Sequence, residues 1–227
     1  MIVAIDGPSG AGKSTVAKEV AKRLGFSCLD TGAMYRAVAW KALSDGVSLD
    51  DDKTLGTIAR DNEIDFGHEA GDPAPKRVFI AGTDVTSAIR TAEIDRAVGP
   101  CAAHPAVREA LVAQQQRIGR AGDYVVEGRD IGTVVFPEAP AKVFLTASAE
   151  ERATRRVKQN EERGVGSVDY DEVLADIKKR DAIDSSRATS PLVPADDAAM
   201  LDSTGKTVEE IIDFICGLAK EAQAAER

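Results

Sequence analysis

Short apolar runs alternate with longer amphipathic stretches along nearly the whole chain. Met1-Ile2-Val3-Ala4-Ile5 suits a strand buried on both faces, and in residues 14–24 Val16, Val20 and Leu24 fall on one side of a helix. Phe26-Ser27-Cys28-Leu29 predicts a second strand and Ala33 to about Leu43 a second helix. Tyr124-Val125-Val126, Lys142-Val143-Phe144-Leu145 and Ala198 to Leu201 supply three more strands. Between them, residues 91–103 and 105–118 read as helices, the second opened by Pro105 and striped by Val107, Leu111 and Ile118, with Arg108 off the stripe. Ser148-Ala149-Glu150-Glu151 is a capping box for a further helix, another starts near Asp169, and Thr207-Val208-Glu209-Glu210 caps a last one carrying Ile211, Ile212, Ile215 and Leu218. Strands alternating with helices predict an α/β fold with a five-stranded parallel sheet and right-handed crossovers.

Two stretches break the alternation. Residues 51–61 are weakly helical; then Ile64 and Phe66 alternate with acids, residues 67–75 read as loop, and Val78-Phe79-Ile80 precedes Gly82-Thr83-Asp84 and Val85. A small antiparallel β insertion is expected over about 62–90. The second break is Gly164-Val165-Gly166-Ser167, which ends an arginine-rich helix and marks about 152–168 as a helical lid. At 227 residues and 43% hydrophobic content, one domain accommodates all of this.

The net charge of −9 argues against a nucleic-acid or anionic-membrane surface, since both need a basic patch. No stretch reaches the roughly 18 apolar residues of a membrane span, and residue 2 already enters a strand, so a cytoplasmic protein is expected. Cys28, Cys101 and Cys216 are too few and too scattered for a disulfide framework or zinc site and read as buried hydrophobes.

Gly7-Pro8-Ser9-Gly10-Ala11-Gly12-Lys13-Ser14 matches the phosphate-binding pattern G-x-x-x-x-G-K-[ST] at every fixed position, between a strand and a helix as that loop requires. Glycines 7, 10 and 12 let backbone N–H groups approach an anion, and the helix N-terminus adds roughly half a positive charge. Lys13, expected to face solvent, would reach the outer phosphates; the Ser14 hydroxyl would ligate magnesium, and Thr15 completes the ATP-binding set.

Such a loop alone serves kinases, GTPases and motors. The arginines discriminate. Arg36 lies near a helix start after Asp30-Thr31-Gly32, and Arg129 and Asp130 follow a strand end, where open α/β sheets bind ligands. Arg152, Arg155 and Arg156 share a helix face, and Arg180, Asp184 and Arg187 line another if that helix continues so far. Each set has a plain structural explanation: a surface arginine, an Arg129–Asp130 pair fixing its loop, a solvated face, an intrahelical ladder. Together, Arg36, Arg129, Arg180 and Arg187 exceed what one triphosphate needs and suggest a second phosphorylated substrate. No N-K-x-D segment is present to read guanine.

Asp6 to Ser14, Leu29-Asp30-Thr31-Gly32-Ala33-Met34-Tyr35-Arg36, Gly128-Arg129-Asp130-Ile131-Gly132-Thr133-Val134-Val135-Phe136-Pro137 and Pro191-Leu192-Val193-Pro194 together resemble the bacterial cytidylate kinases, nucleoside monophosphate kinases of P-loop NTPase type. The resemblance covers nearly the whole chain. It implies a five-stranded parallel core, a monophosphate-binding region enlarged by the insertion, and a lid over ATP. It implies that Arg36, Arg129 and Arg187 clamp the CMP phosphate, that Arg180 and Asp184 touch the ribose, that Arg108 and Asp130 read cytosine, that Thr31 contributes its hydroxyl, and that Arg152 and Arg156 contact the transferred phosphoryl group. Gly99 stands where some family members have a base-contacting serine, and Thr31 where many have serine. The implied activity is phosphoryl transfer from ATP, with Mg2+, to CMP or dCMP by a monomeric enzyme. Its alternatives are a kinase for another nucleoside monophosphate or small molecule, and a P-loop regulatory NTPase.

Overall fold

Strand β1 (Ile2–Asp6) is central in a five-stranded parallel sheet with β2 (Ser27–Asp30), β6 (Tyr124–Gly128), β7 (Ala141–Thr146) and β8 (Ala199–Asp202), in the order β2-β6-β1-β7-β8. The computed structural model describes residues 1–69, 71–187 and 189–225. Alternate β1 residues serve opposite faces: Val3 and Ile5 pack with Val16 and Val20 of α1 (Lys13–Leu24) and with Ile211 and Ile215 of α8 (Val208–Ala225). Ala4 faces the other core, which holds Met34 and Val38 of α2 (Thr31–Ser44), Leu55 of α3 (Asp52–Asp61) and Leu111 of α5 (Pro105–Gly119). Both faces are covered, which is why the strands are apolar runs rather than alternating ones. Each fully buried Val or Ile here stabilises the fold by about 1.5–3 kcal/mol.

The predicted insertion is an antiparallel sheet of β3 (Ile64–Gly67), β4 (Arg77–Ile80) and β5 (Thr83–Asp84), followed by a 3₁₀ turn (Ala88–Arg90) and α4 (Ala92–Ala103). It shares the α2 core through Ile64, Val78, Ile80 and Val85. Helices α6 (Ala149–Arg163) and α7 (Tyr170–Ser186) pack on each other around a small core of their own, Ala153, Val173 and Ile177. The three cysteines are free and buried, and no helix among the described residues is long and apolar enough to cross a membrane.

Element ends moved for identifiable reasons. Helix α2 begins at Thr31 rather than Ala33, because the Asp30 carboxylate accepts the Ala33 N–H at 3.0 Å and caps the first turn. Helix α1 begins at Lys13, one residue early, because Gly12 in the left-handed region (φ 93°) is its N-cap. Helix α7 stops at Ser186, so Arg187 sits just past its end and not on its face.

The β1 end is tied to the β6 end through Asp6, whose two carboxylate oxygens accept the Ile131 and Gly132 N–H groups, both at 2.8 Å. That clamp starts a one-turn π-helix (Ile131–Val135) and fixes the aim of Arg129 and Asp130. Burial pushes Asp6 up to about 6, against the lowering by those two hydrogen bonds.

Gly7 turns the chain with φ 148°, and a Cβ there would lie 1.9 Å from the Leu145 carbonyl oxygen. Gly7→Ala must therefore move backbone on β7. The expected result is a loss of roughly 2–4 kcal/mol in stability, read from thermal and denaturant unfolding. An unchanged midpoint would contradict that packing.

Candidate active site

The carboxyl ends of β1, β2 and β6 open into a cleft of about 730 Å³. This is where an open parallel sheet places ligands. Its floor is the 7–14 loop, one wall is α2 with α4 and α5, and the other is α6 with α7.

Gly7, Gly10 and Gly12 have φ of 148°, 80° and 93°, the backbone that the motif predicts. Ser9, Gly10, Gly12, Lys13, Ser14 and Thr15 line the cleft, whereas Gly7, Pro8 and Ala11 shape the loop behind it. Lys13 corrects the expectation of a solvent-facing side chain. It is buried, and its Nζ donates to the Pro8 carbonyl at 2.7 Å, folded across its own loop. Burial and then the Arg129 charge push its ammonium well below the usual lysine range, with Glu127 and Asp6 opposing them. Glu127 lies near the end of the apolar strand β6, directly before Gly128 and Arg129. It is buried beside Lys13, its Oε1 has no hydrogen-bond partner, and burial and Asp30 raise it to about 7, opposed by Lys13 and the Ser14 hydroxyl.

The basic residues sort by their partners. Arg108 donates to Asp130 in a pair that is almost wholly buried, donates to the Ala102 carbonyl at 3.3 Å, and lies over the Tyr35 ring, 5.3 Å from its centroid. Arg129 reaches across to Asp184 at 3.0 Å, so Arg129 and Asp130 are partners of α7 and α5 and not of each other. Arg187 Nη2 lies 3.6 Å from Asp184 Oδ1. Burial alone would raise Asp184, yet Arg129, Arg180 and Arg187 hold it below the ordinary carboxylate range. The intrahelical ladder is thus mostly a bridge between elements. Arg36 donates to Asp95 and to the Ile89 carbonyl at 3.3 Å. Thr31 donates to the Glu127 carbonyl at 2.7 Å.

Arg152 and Arg156 separate. Arg156 lines the cleft and donates to Ser9 Oγ at 3.2 Å. Arg152 is buried at the root of α6, against the phosphate loop, and is not among the residues that line the cleft. Its donors go to Asp181 at 3.0 and 2.7 Å, to the Ala147 carbonyl at 3.0 Å and to the Ser9 carbonyl at 3.2 Å. Arg155, on the same helix face, is occupied by Glu151 and Ser203. Helix spacing gave all three one face; what lies beneath each turn decided their uses.

Among the described residues, the buried side-chain donors without a partner include Arg108 Nε, Arg180 Nε and Arg187 Nη2, as well as Tyr35 Oη. All four residues line the cleft. Burial and then Arg129 push Arg180 down to about 10. A buried guanidinium N–H without an acceptor is costly, and a ligand that brings acceptors into the cleft would relieve that cost.

The sequence model of the family described as "Cytidylate kinase" matches residues 3–221. The chain belongs to the cytidylate kinase family. A "Cytidylate kinase" of Saccharophagus degradans is 48% identical over 223 residues, 98% of each chain. Another, of Desulfitobacterium hafniense, is 50% identical over 216 residues, 95% of this chain and 91% of its own. Among solved structures, a gluconokinase from Sinorhizobium meliloti 1021 is 17% identical, with a TM-score of 0.49 over 99% of this chain and 94% of its own. Within this member of the family, Tyr35, Asp95, Glu127 and Arg163 line the cleft without having been singled out beforehand. Tyr35 stood inside a quoted motif beside Arg36, and Glu127 directly precedes the Gly128 to Pro137 motif; Asp95 and Arg163 carried no local signal.

Proposed function

We propose that this kinase moves the γ-phosphoryl group of ATP to a phosphate oxygen of CMP or dCMP, releasing ADP and the cytidine diphosphate. The observation that carries this is the row of buried, unpartnered arginine donors across the cleft from the phosphate loop. One nucleotide on the loop leaves them unsatisfied; a second nucleotide meets them, Arg187 at its phosphate, Arg180 at its ribose and Arg108 on its base side.

In this reading the loop N–H groups and Lys13 hold the ATP phosphates, Lys13 exchanging the Pro8 carbonyl for a phosphate oxygen. Arg36, Arg129 and Arg187 orient the acceptor phosphate, Arg180 and Asp184 hold the ribose, and the Arg108–Asp130 pair with Thr31 faces the base side. An acceptor phosphate oxygen attacks the γ-phosphorus in line as its bond to the bridging oxygen breaks, and ADP takes that electron pair. The acceptor is already an anion, so no strong base is needed; Arg156 and the clamp offset repulsion between the two polyphosphates.

The donor set fits Mg2+: Ser14 offers a hydroxyl, and Glu127 a buried oxygen with no other partner. When bound, the ion would neutralise charge on the ATP phosphates. The arginine-rich hairpin over about 152–168, rooted in the small core that α6 shares with α7, serves as a lid that excludes water as a competing acceptor. Arg152 anchors that lid at its root. The net charge of −9 supports small nucleotides, rather than a nucleic acid, as the polyanions bound.

Two tests address the assignment. ADP release should require CMP; rapid release without an acceptor would favour a regulatory NTPase. Arg187→Ala or Arg36→Ala should lower kcat/KM for CMP by about 10- to 150-fold, or 1.5–3 kcal/mol, with the KM for ATP little changed. A rise confined to the ATP KM would assign these arginines to the wrong substrate.

A further inference from the structure

Six carboxylates line the cleft: Glu19, Asp30, Asp95, Glu127, Asp130 and Asp184. Most are committed elsewhere. Asp30 caps α2 and pairs with Arg90, Glu127 lies against Lys13, Asp130 locks Arg108, and Asp184 bridges Arg129 and Arg187. Glu19 is exposed on α1.

Asp95, in the first turn of α4, differs. Among the described residues its side chain has one partner, the Arg36 guanidinium, and it keeps 36% of its side-chain surface open. The Thr91 hydroxyl already caps that helix. Arg36 is independently held by the Ile89 carbonyl, so its aim does not depend on Asp95 alone. Three arginines from three elements, Arg36 of α2, Arg156 of α6 and Arg180 of α7, bear on this carboxylate. Burial raises Asp95, but these three charges outweigh it and leave the group below the usual carboxylate range.

We propose that Asp95 is a resident anion at the acceptor-phosphate end of the cleft, which neutralises Arg36 and thereby weakens the binding of CMP. This rests on the acceptor assignment above. A fixed carboxylate a few ångströms from a doubly charged phosphate repels it, and it occupies a donor that the phosphate would otherwise use. The arginine cluster is therefore tuned below its full affinity, which speeds departure of phosphorylated product from the same end.

The test is direct binding of CMP to wild type, Asp95→Asn and Asp95→Glu by calorimetry, at low and at high salt. Asp95→Asn should bind CMP about three- to tenfold more tightly, with the gain shrinking as salt screens the charge, whereas Asp95→Glu stays within about twofold of wild type. A merely structural role would not produce a salt-dependent gain. Wild type that binds CMP while Asp95→Asn binds it equally or more weakly overturns the inference and leaves the acceptor assignment standing. Failure of wild type to bind CMP overturns both.

Discussion

Lys13→Ala is expected to abolish turnover, costing about 3 kcal/mol or more in transition-state stabilisation, at least a 150-fold fall in kcat/KM. The reason lies in the burial of Lys13. Its Nζ needs only to leave the Pro8 carbonyl, 2.7 Å away, to meet an anion on the loop. There it acts with little water to screen it. The substitution also removes the positive charge beside Glu127, whose carboxyl already sits near 7, so the variant's carboxyl should be protonated over a wider pH range. Lys13→Met, which keeps the hydrocarbon stem, separates packing from charge. Both variants should fold, by circular dichroism, and both should be inactive. Near-native turnover in a folded Lys13→Ala protein would remove the lysine from the reaction.

Asp130→Asn should erode discrimination between CMP and UMP. Cytosine presents an exocyclic amine where uracil presents a carbonyl oxygen, and an ionised carboxylate can only accept. An amide can turn either its oxygen or its NH₂ to the base. One mismatched buried polar contact is worth about 1–3 kcal/mol, so the CMP:UMP ratio of kcat/KM should fall roughly 5- to 150-fold. The structure adds a second consequence. Asp130 is also the counterion of Arg108, which is 3% exposed, so the variant leaves a buried guanidinium without its partner charge and should be less stable. The ratio within one protein cancels that loss, since both acceptors meet the same weakened site. An unchanged ratio in folded, active protein means that Asp130 does not read the base.

Much of the fold was legible because strand and loop signals are local. Met1 to Ile5 and the glycine motif fix β1 and the phosphate loop by composition and spacing alone, and burial on both sheet faces makes β6 and β7 largely apolar runs as well. The site was legible as residue types but not as pairs. Asp184 answers Arg129 from 55 residues away, and Arg108 answers Asp130 across 22, so only the packed sheet reveals them. Arg152 shows the limit of helix-face reasoning: one turn separates it from Arg156, but its own turn sits over Asp181 and two backbone carbonyls. Asp95 is silent in sequence because its meaning comes from Arg36, brought to it by the packing of α2 on α4.

The central claim is tested most directly by initial rates of ADP release from ATP with CMP, dCMP, UMP or AMP as acceptor, in parallel with no acceptor. The account predicts fast release with CMP and dCMP, at least about fivefold slower release with UMP and AMP at equal subsaturating concentration, and little without an acceptor. Equal rates with all four acceptors, or release that ignores them, would contradict it.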